Sequence, residues 1–195
     1  MSATLAILAG GSGTRMGMPK SHLTIEGKPV LEHILDTLAW TGPTMLVTAP
    51  GVEHPPGHKR FKTEVTDPKP GEGPLRGILT ALEAGVTGTL LIATVDMPKV
   101  TREQLDWLDK QFQLLEHSMA LACKRTPAKD TIEPFPCALR ETALEPIRRL
   151  LAMPHHSAKS FFQLPGTNVM QAPEDWPPSV WLNLNRPEDL DLLGA

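Results

Sequence analysis

The sequence predicts an α/β fold in which a mostly parallel, mixed β-sheet is built into a single domain. Short apolar runs typical of buried strands alternate with helical segments of about 10–15 residues, as in chains of βαβ units. The chain has 195 residues, of which 41% are hydrophobic and 21% are charged. A chain of this length and composition can bury one sizeable core without disulfides or a structural metal.

The first half of the chain carries the clearest alternation of elements. Strands are expected where short runs rich in Leu, Ile, Val or Thr occur, at residues 4–9, 44–48, 63–66 and 89–94. Helices are expected where helical spacing or start and stop signals occur, at residues 29–40, 75–84 and 101–115. Thr101 and Gln104 form a predicted capping box at the start of the third helix.

The second half is less regular and favours an α+β arrangement. Strands are expected at residues 119–123, 135–139 and 181–184, with a polar segment at 124–133 between the first two. Helices are expected at residues 142–152 and 159–164, and a loop at 171–179. Asn185 and Glu188 are predicted to cap a terminal helix. Because no repeat and no long linker is present, we expect one domain over residues 1–195, with halves at about 1–117 and 118–195.

Charge, cysteine content and hydropathy exclude several classes of function. The net charge of -3 and the pI near 6.2 argue against a nucleic-acid partner, since nucleic-acid surfaces are normally basic. Cys123 and Cys137 are too few and too far apart for a zinc site or a disulfide framework. No segment approaches the roughly 18 apolar residues of a membrane helix, and the N-terminus lacks a basic signal region. We therefore expect a cytoplasmic protein without a membrane partner.

The strongest motif is LAGGSGTRMGMPK, at residues 8–20. Gly10 and Gly11 directly follow a predicted strand, so their backbone N–H groups can approach phosphate oxygens without obstruction by a side chain. Arg15 and Lys20 add positive charge of the kind that a bound triphosphate requires. The motif therefore indicates a site for nucleotide phosphates.

The spacing of this motif excludes two better-known phosphate loops. In a Walker A loop a glycine immediately precedes the lysine, whereas two residues separate Gly17 from Lys20 here. In the dinucleotide fingerprint a glycine would stand at position 16, whereas Gly11 and Gly13 are followed by Gly17. Neither a P-loop NTPase nor a dinucleotide-binding enzyme is therefore expected.

Two aspartates are further candidates for the site, and Asp96 lies just past a predicted strand end, where α/β sheets bind their ligands. Asp96 follows the apolar run 89–94, and Mg²⁺ usually takes one or two carboxylates together with phosphates and water. A turn-forming role for Asp96 is an equally good interpretation of that residue alone. Asp67 precedes a Pro/Gly-rich stretch in which Gly73 and Gly77 flank a helix start, which could face an anion, although these residues alone favour an ordinary loop and helix start.

Five segments together resemble the molybdenum cofactor guanylyltransferase family, a branch of the GT-A-like nucleotidyltransferases. They are LAGGSGTRMGMPK, GKPVLEHIL, GPLRGI, VDMP and NLNRPEDL, in this order along the chain. The resemblance implies a Rossmann-like three-layer nucleotidyltransferase domain. It also implies a reaction in which GTP and molybdenum-molybdopterin give the guanine dinucleotide cofactor and pyrophosphate. Transient contact with other proteins of cofactor biosynthesis is a further expectation from it.

The resemblance implies a role for each residue that matches the motifs. The nucleotide would be bound by Leu8, Ala9, Gly10, Gly11, Lys20, Asp67 and Asp96. The acceptor would contact Gly73, Gly77, Asn183 and Asn185, and its phosphate would meet Arg148, Arg149 or Lys159. Arg15, Lys20 and Asp96 would be catalytic, and Asp96 would hold Mg²⁺ as the cofactor.

Other functions remain open at this point. Gly13-Thr14-Arg15 is commoner in sugar nucleotidyltransferases, and Met18-Pro19 replaces a segment that usually carries an aspartate before the lysine. The alternatives are therefore a related enzyme that uses CTP, one with a sugar or polyol phosphate acceptor, or a nucleotide-binding regulator without turnover. His54 and His58 lie in a Pro/Gly-rich loop and are interpreted as solvated loop residues.

Overall fold

A computed structural model describes residues 3–11, 13, 17–126 and 129–193. Nine strands are described in chain order: β1 (Thr4–Leu8), β2 (Thr24–Ile25), β3 (Lys28–Pro29), β4 (Thr44–Thr48), β5 (Thr63–Thr66), β6 (Leu90–Thr94), β7 (Ala120–Thr126), β8 (Lys129–Leu139) and β9 (Thr167–Gln171). Strands β2 and β3 form a small hairpin, and the others form one sheet in the order β5-β4-β1-β6-β8-β7-β9.

Only β8 runs against the direction of the other strands of this sheet. Strands β5, β4, β1 and β6 are paired in parallel, and β7 and β9 are parallel to each other. Strand β8 pairs antiparallel with both β6 and β7. The mostly parallel mixed sheet that the sequence predicts is confirmed, and it continues without a break from the first half of the chain into the second.

Five α-helices are described: α1 (Val30–Leu38), α2 (Gly73–Glu83), α3 (Arg102–Gln113), α4 (Leu144–Leu151) and α5 (Ala158–Phe161). Helix α2 packs against α4. Arg102, at the start of α3, donates to the carbonyl of Ala39 at 3.0 Å and lies over the Trp40 ring, so α3 is joined to the end of α1. The predicted capping box of α3 is present, with the Thr101 N–H donating to Gln104 at 2.8 Å.

The centre of the sheet is covered on both faces. Leu5, Ala6 and Ile7 of β1 and Leu91 and Ile92 of β6 are fully buried. Since successive side chains of a strand point to opposite faces, both faces of these strands must be packed against other elements. In the described part of the chain no helix is long and apolar enough to cross a membrane.

Two expectations for the second half are wrong, and one strand was missed. Residues 181–184 do not form a strand: a 3₁₀ helix, Pro178–Trp181, leads into extended chain outside the sheet. Trp181 and Leu184 are buried outside the sheet, so their apolar character reflects packing and not a place in a strand ladder. The polar segment at 124–133 belongs to the β7–β8 hairpin rather than to a break between strands. Strand β9 was not expected.

The end of the chain also differs in detail. Pro187–Leu193 is a 3₁₀ helix, and Asp189 rather than Glu188 accepts from the N–H groups of the two residues just before it. The Oδ2 atom of Asp189 accepts from the backbone N–H of Asn185 at 2.7 Å and from that of Arg186 at 2.8 Å. A carboxylate at this position satisfies donors that a helix start leaves unpaired.

Candidate active site

A cavity of about 490 Å³ lies at the edge of the sheet where the parallel strands end. Strands β1, β4, β5 and β6 run in the same direction, so their carboxyl ends meet at this edge. Nine of the residues expected to bind ligands line the cavity, namely Leu8, Gly10, Gly11, Lys20, Asp67, Gly73, Gly77, Asp96 and Asn183. The structure thus brings together residues from four separate motifs.

Lys20 is the centre of the polar contacts in this cavity. Its Nζ donates to Oδ2 of Asp96 and to Oδ1 of Asn185, in both cases at 2.8 Å. The side chains of Lys20 and Asp96 are only 14% and 23% exposed, so the ion pair is largely shielded from water. An ammonium carries three donors, and these contacts use two of them.

The loop before Lys20 has a fold that requires glycine. Gly13 has a φ of +57°, and a Cβ built on it would lie 1.9 Å from the carbonyl oxygen of Met18. No side chain can be accommodated at that distance, so the start of the loop is held directly against its end. The 3₁₀ turn Lys20–His22 follows and directs Lys20 toward the cavity. Arg15 lies outside the described residues.

Asp96 is fixed from both sides. The hydroxyl of Thr94, two residues earlier at the end of β6, donates to its Oδ1 at 2.6 Å. Its backbone carbonyl accepts from the N–H of Leu184 at 2.8 Å, which places the C-terminal segment across the strand end. In this segment Asn185 contacts Lys20 and does not line the cavity. Asn183 does line the cavity, and its side chain donates to the Trp181 carbonyl at 3.1 Å.

Asp67 lies in the same cavity in a very different environment. Its N–H donates to the Thr48 carbonyl at 2.8 Å, which continues the β4–β5 ladder beyond β5. A Cβ on Gly10 would lie 3.7 Å from Oδ2 of Asp67, so the carboxylate borders the glycine loop. Its other oxygen, Oδ1, is buried and has no hydrogen-bond partner among the described residues.

Burial raises the pKa of Asp67 above its ordinary value. The Thr80 hydroxyl and the Arg76 guanidinium favour the charged carboxylate, but burial outweighs them. Although the Thr80 hydroxyl is near, it does not meet hydrogen-bond geometry with Asp67, and it is itself buried without a partner in the described chain. Oδ1 of Asp67 is therefore a hydrogen-bond acceptor to which a bound ligand could donate.

Helix α2 begins at the cavity. Gly73 is its first residue, with a φ of +70°, and Pro74 follows where a missing N–H costs nothing. Gly77, one turn later, packs against Leu8: a Cβ there would lie 3.2 Å from Leu8 Cδ2. The first N–H groups of α2 point toward the cavity end of the helix, where they favour anionic groups.

Two sets of expected residues are not at the cavity wall. Ala9 is buried, and its N–H donates to the Val47 carbonyl at 2.8 Å, so only Leu8 and Gly10 on either side line the cavity. Arg148 pairs with Glu83 at 2.8 Å, at the far end of α2. That end is about 15 Å along the helix from Gly73, given a rise of about 1.5 Å per residue.

Sequence reasoning missed the apolar wall of the cavity. It includes Val47, Ala49, Pro50, Val52 and Phe135. Concave, mostly apolar surfaces with a few polar groups are typical of small-molecule sites. The first four residues follow or end β4 and could have been found from that strand end, but Phe135 comes from the antiparallel strand β8 and gave no local signal.

A divalent cation fits the donor set around Asp96. Hard cations such as Mg²⁺ bind carboxylate oxygens and usually need only one or two from the protein. The Asp96 carboxylate offers about four lone pairs, and two of them accept from Thr94 and Lys20. The Asp96 carboxylate lines the cavity, and its remaining lone pairs could bind an ion there.

The glycine loop, the paired lysine and aspartate and the fold that carries them define a nucleoside triphosphate transferase. A family model described as the MobA-like NTP transferase domain matches residues 5–170. The chain belongs to this family.

Relatives with assigned names cover almost the whole chain. A molybdenum cofactor guanylyltransferase of Syntrophotalea carbinolica is 31% identical over 193 residues, which are 95% of this chain and 87% of that protein. A probable molybdenum cofactor guanylyltransferase of Pyrococcus horikoshii is 28% identical over 99% of this chain and 100% of its own.

Solved structures share the fold. The molybdopterin-guanine dinucleotide biosynthesis protein A of Archaeoglobus fulgidus superposes with a TM-score of 0.79 at 26% identity, covering 97% of this chain and 95% of that one. The 2-C-methyl-D-erythritol 4-phosphate cytidylyltransferase of Thermus thermophilus has a TM-score of 0.72 at 18% identity over 98% and 97% of the two chains, a likeness of fold alone. The expected α/β nucleotidyltransferase fold is confirmed.

Proposed function

We propose that this protein transfers GMP from GTP to molybdenum-molybdopterin and releases pyrophosphate. The observation that carries the proposal is the contact of Lys20 with Asp96 and Asn185, because it joins residues of three motifs at one cavity. The names of full-length relatives support the choice of nucleotide and acceptor. The protein is accordingly a guanylyltransferase of cofactor biosynthesis.

The base of the nucleotide has a partner of suitable chemistry in Asp67. Guanine presents N–H donors, and an ionised carboxylate can only accept hydrogen bonds. The buried, unpaired Oδ1 of Asp67 would gain the partner that it lacks among the described residues. The apolar wall around Val47 and Val52 would cover the base, while Gly10 and Gly11 leave their backbone open to the phosphates.

The transfer itself requires neutralisation of charge more than acid–base catalysis. An oxygen of the acceptor phosphate attacks the α-phosphorus of GTP, a new P–O–P bond forms, and the bond to the β-phosphate breaks to release pyrophosphate. The attacking phosphate is already largely ionised near neutral pH, since its second pKa is about 6. No general base is needed, and Lys20 supplies positive charge where two anions meet.

Mg²⁺ is proposed as the cofactor, held by Asp96. When bound, the ion would offset negative charge on the phosphates. Thr94 keeps Oδ1 of Asp96 in place, and Asn185 holds the Lys20 ammonium beside Oδ2. These two neighbours preserve the geometry that an ion and a triphosphate would meet.

The nucleotide preference is tested by thermal shift with GTP, CTP, ATP and UTP in the presence of Mg²⁺. At about 100 times its Kd, a nucleotide adds about 2.7 kcal/mol to the stability, which corresponds to roughly 5–10 °C for a chain of this size. We expect this shift with GTP. A response to CTP alone would overturn the guanylyl proposal.

Turnover is tested by pyrophosphate release with GTP and molybdenum-loaded molybdopterin, followed by detection of the dinucleotide product. We expect release that depends on both substrates and on Mg²⁺. Binding of GTP with no release for any nucleotide would favour a regulator that has kept the fold.

A further inference from the structure

Three potential ligand side chains converge outside the nucleotide cavity. His54, His58 and Glu64 each offer one ligand atom, and these atoms lie within 4.8 Å of one another. Oε2 of Glu64 is 3.0 Å from Nδ1 of His54 and 3.1 Å from Nδ1 of His58. Both ring nitrogens therefore point at the same carboxylate oxygen.

The separation of these atoms resembles that in a zinc site. With bonds of about 2.0–2.1 Å, two ligands of a tetrahedral ion lie roughly 3.3–3.4 Å apart. The two nitrogen–oxygen distances are within a few tenths of an ångström of that value. An ion could enter after a small outward movement of one side chain, without any change of backbone.

The backbone holds His54 in an uncommon conformation that favours this convergence. His54 has a φ of +59°, a left-handed conformation that few residues other than glycine adopt. Its backbone N–H donates to Oε1 of Glu64 at 2.9 Å, while its ring faces Oε2 of the same side chain. An unusual backbone conformation at a cluster of polar side chains is a reasonable pointer to function.

Exposure leaves room for a further ligand from solvent. The His54 side chain is 72% exposed, whereas those of His58 and Glu64 are 24% and 18% exposed. The cluster is therefore anchored on one side and open on the other. The interpretation of both histidines as solvated loop residues applies to His54 but not to His58.

We propose that His54, His58 and Glu64 bind Zn²⁺ or a similar first-row divalent ion, with water as the remaining ligand. Two imidazoles and one carboxylate suit such ions, whereas Mg²⁺ prefers oxygen ligands alone. The site is separate from Asp96 in the cavity and does not depend on nucleotide transfer.

The consequence of binding would be to fasten a loop to the edge of the sheet. His54 and His58 lie in the connection between β4 and β5, and Glu64 is part of β5, the edge strand. The same connection supplies Pro50 and Val52 to the nucleotide cavity. A bound ion would therefore steady one wall of that cavity from outside.

The test is titration of metal-free protein with Zn²⁺ by calorimetry, together with the Tm measured with and without Zn²⁺. We expect one ion per chain and, at about 100 times the Kd, a Tm rise of roughly 5–10 °C. His54→Ala and Glu64→Gln should each weaken binding more than about tenfold, since even loss of a group behind a metal ligand costs that much. Mg²⁺ should not replace Zn²⁺.

Two variants serve as controls. His155→Ala removes an exposed histidine from another loop, and Asp96→Asn removes the carboxylate proposed to hold Mg²⁺ in the cavity; both should bind Zn²⁺ like the original protein. Cys123 and Cys137 are buried and do not compete in the folded protein. Binding that survives in the His54 and Glu64 variants, or that is lost equally in a control, would overturn the proposal, as would no binding at all.

Discussion

Asp96 and Asp67 occupy equivalent places in the fold but opposite electrostatic situations. Each follows the carboxyl end of a parallel strand and lines the same cavity. The side-chain oxygens of Asp96 accept from Thr94 and Lys20, whereas Oδ1 of Asp67 is buried without a partner among the described residues. One half of the cavity is thus preorganised by contacts within the protein, and the other half keeps an acceptor without a partner among the described residues.

The largest loss of activity is expected from a substitution in the preorganised half of the cavity, which contains Lys20 and Asp96. Lys20→Ala removes the ammonium that contacts Asp96 and Asn185, and kcat should fall by about 10²–10³-fold, as when one donor to a developing charge is removed. Pyrophosphate release measures the loss. Lys28→Ala, which removes a surface lysine paired with Asp36, is the matched control and should keep its turnover. Near-original turnover in Lys20→Ala would refute the role of Lys20.

Gly13→Ala tests the loop that positions Lys20. An added Cβ would meet the Met18 carbonyl at 1.9 Å, so the loop must open and Lys20 must shift. A displacement of about 1 Å can cost about 10²-fold in rate, and we expect a loss of that order in kcat/KM. Gly51→Ala is the control, because that glycine also has positive φ but a Cβ there would meet nothing within 4 Å. If both variants lost kcat/KM equally, the loss would be due to backbone strain at a glycine with positive φ and not to the close approach of the Met18 carbonyl.

Asp67→Asn tests the half that lacks a partner. A neutral amide no longer offers a carboxylate to the nucleotide, so GTP should bind about tenfold more weakly, which is about 1.4 kcal/mol. Titration calorimetry with GTP gives the change. Unaltered GTP affinity would contradict a contact between Asp67 and the base.

The same variant should be more stable without nucleotide at pH 7. Burial raises the pKa of Asp67 in the folded state above its unfolded value near 3.8, so the ionised carboxylate costs stability at high pH, and this cost disappears as the pH falls below that value. We therefore expect Asp67→Asn to have a higher Tm than the original protein at pH 7. The gain in Tm should shrink as the pH approaches 4. A gain that does not change with pH would point to packing instead.

The smallest effect on activity is expected from a substitution outside the cavity. Arg148→Ala removes a guanidinium that pairs with Glu83 and Glu145 on the surface, at the far end of α2. Turnover and the KM for molybdopterin should not change. A KM raised several-fold would place Arg148 in the path of the acceptor, as the sequence alone allowed.

The sequence could predict what depends on neighbouring residues. Strands β4 and β5 lie at the predicted positions, and Gly10 and Asp96 were identified because each comes just after a buried strand, whereas Asp67 was identified with the Pro/Gly-rich stretch that follows it. The strand expected at 181–184 failed because its apolar residues pack beneath the site instead of joining a ladder. Strand β9, with only partly buried residues, lacked the apolar signal of a central strand.

The features of the site that could not be predicted are contacts between residues that are far apart in the sequence. Asn185 was expected from a motif, but its contact with Lys20 spans 165 positions and is visible only in the folded chain. Glu64 gave no signal as a neighbour of His54 and His58, since a strand residue and a loop must first be brought together. Local sequence patterns therefore identified individual residues of the site, whereas the partners that these residues contact became visible only in the folded structure.

The contact between Lys20 and Asn185 also has a consequence for synthesis. Domains tend to fold as the chain leaves the ribosome, N-terminal parts first. Strands β1, β4, β5 and β6 could pair early, but Lys20 would not meet Asn185, nor Leu184 the carbonyl of Asp96, until residues 184 and 185 had been synthesised and had left the ribosome. A nascent chain could thus hold a folded sheet for some time before its site is assembled.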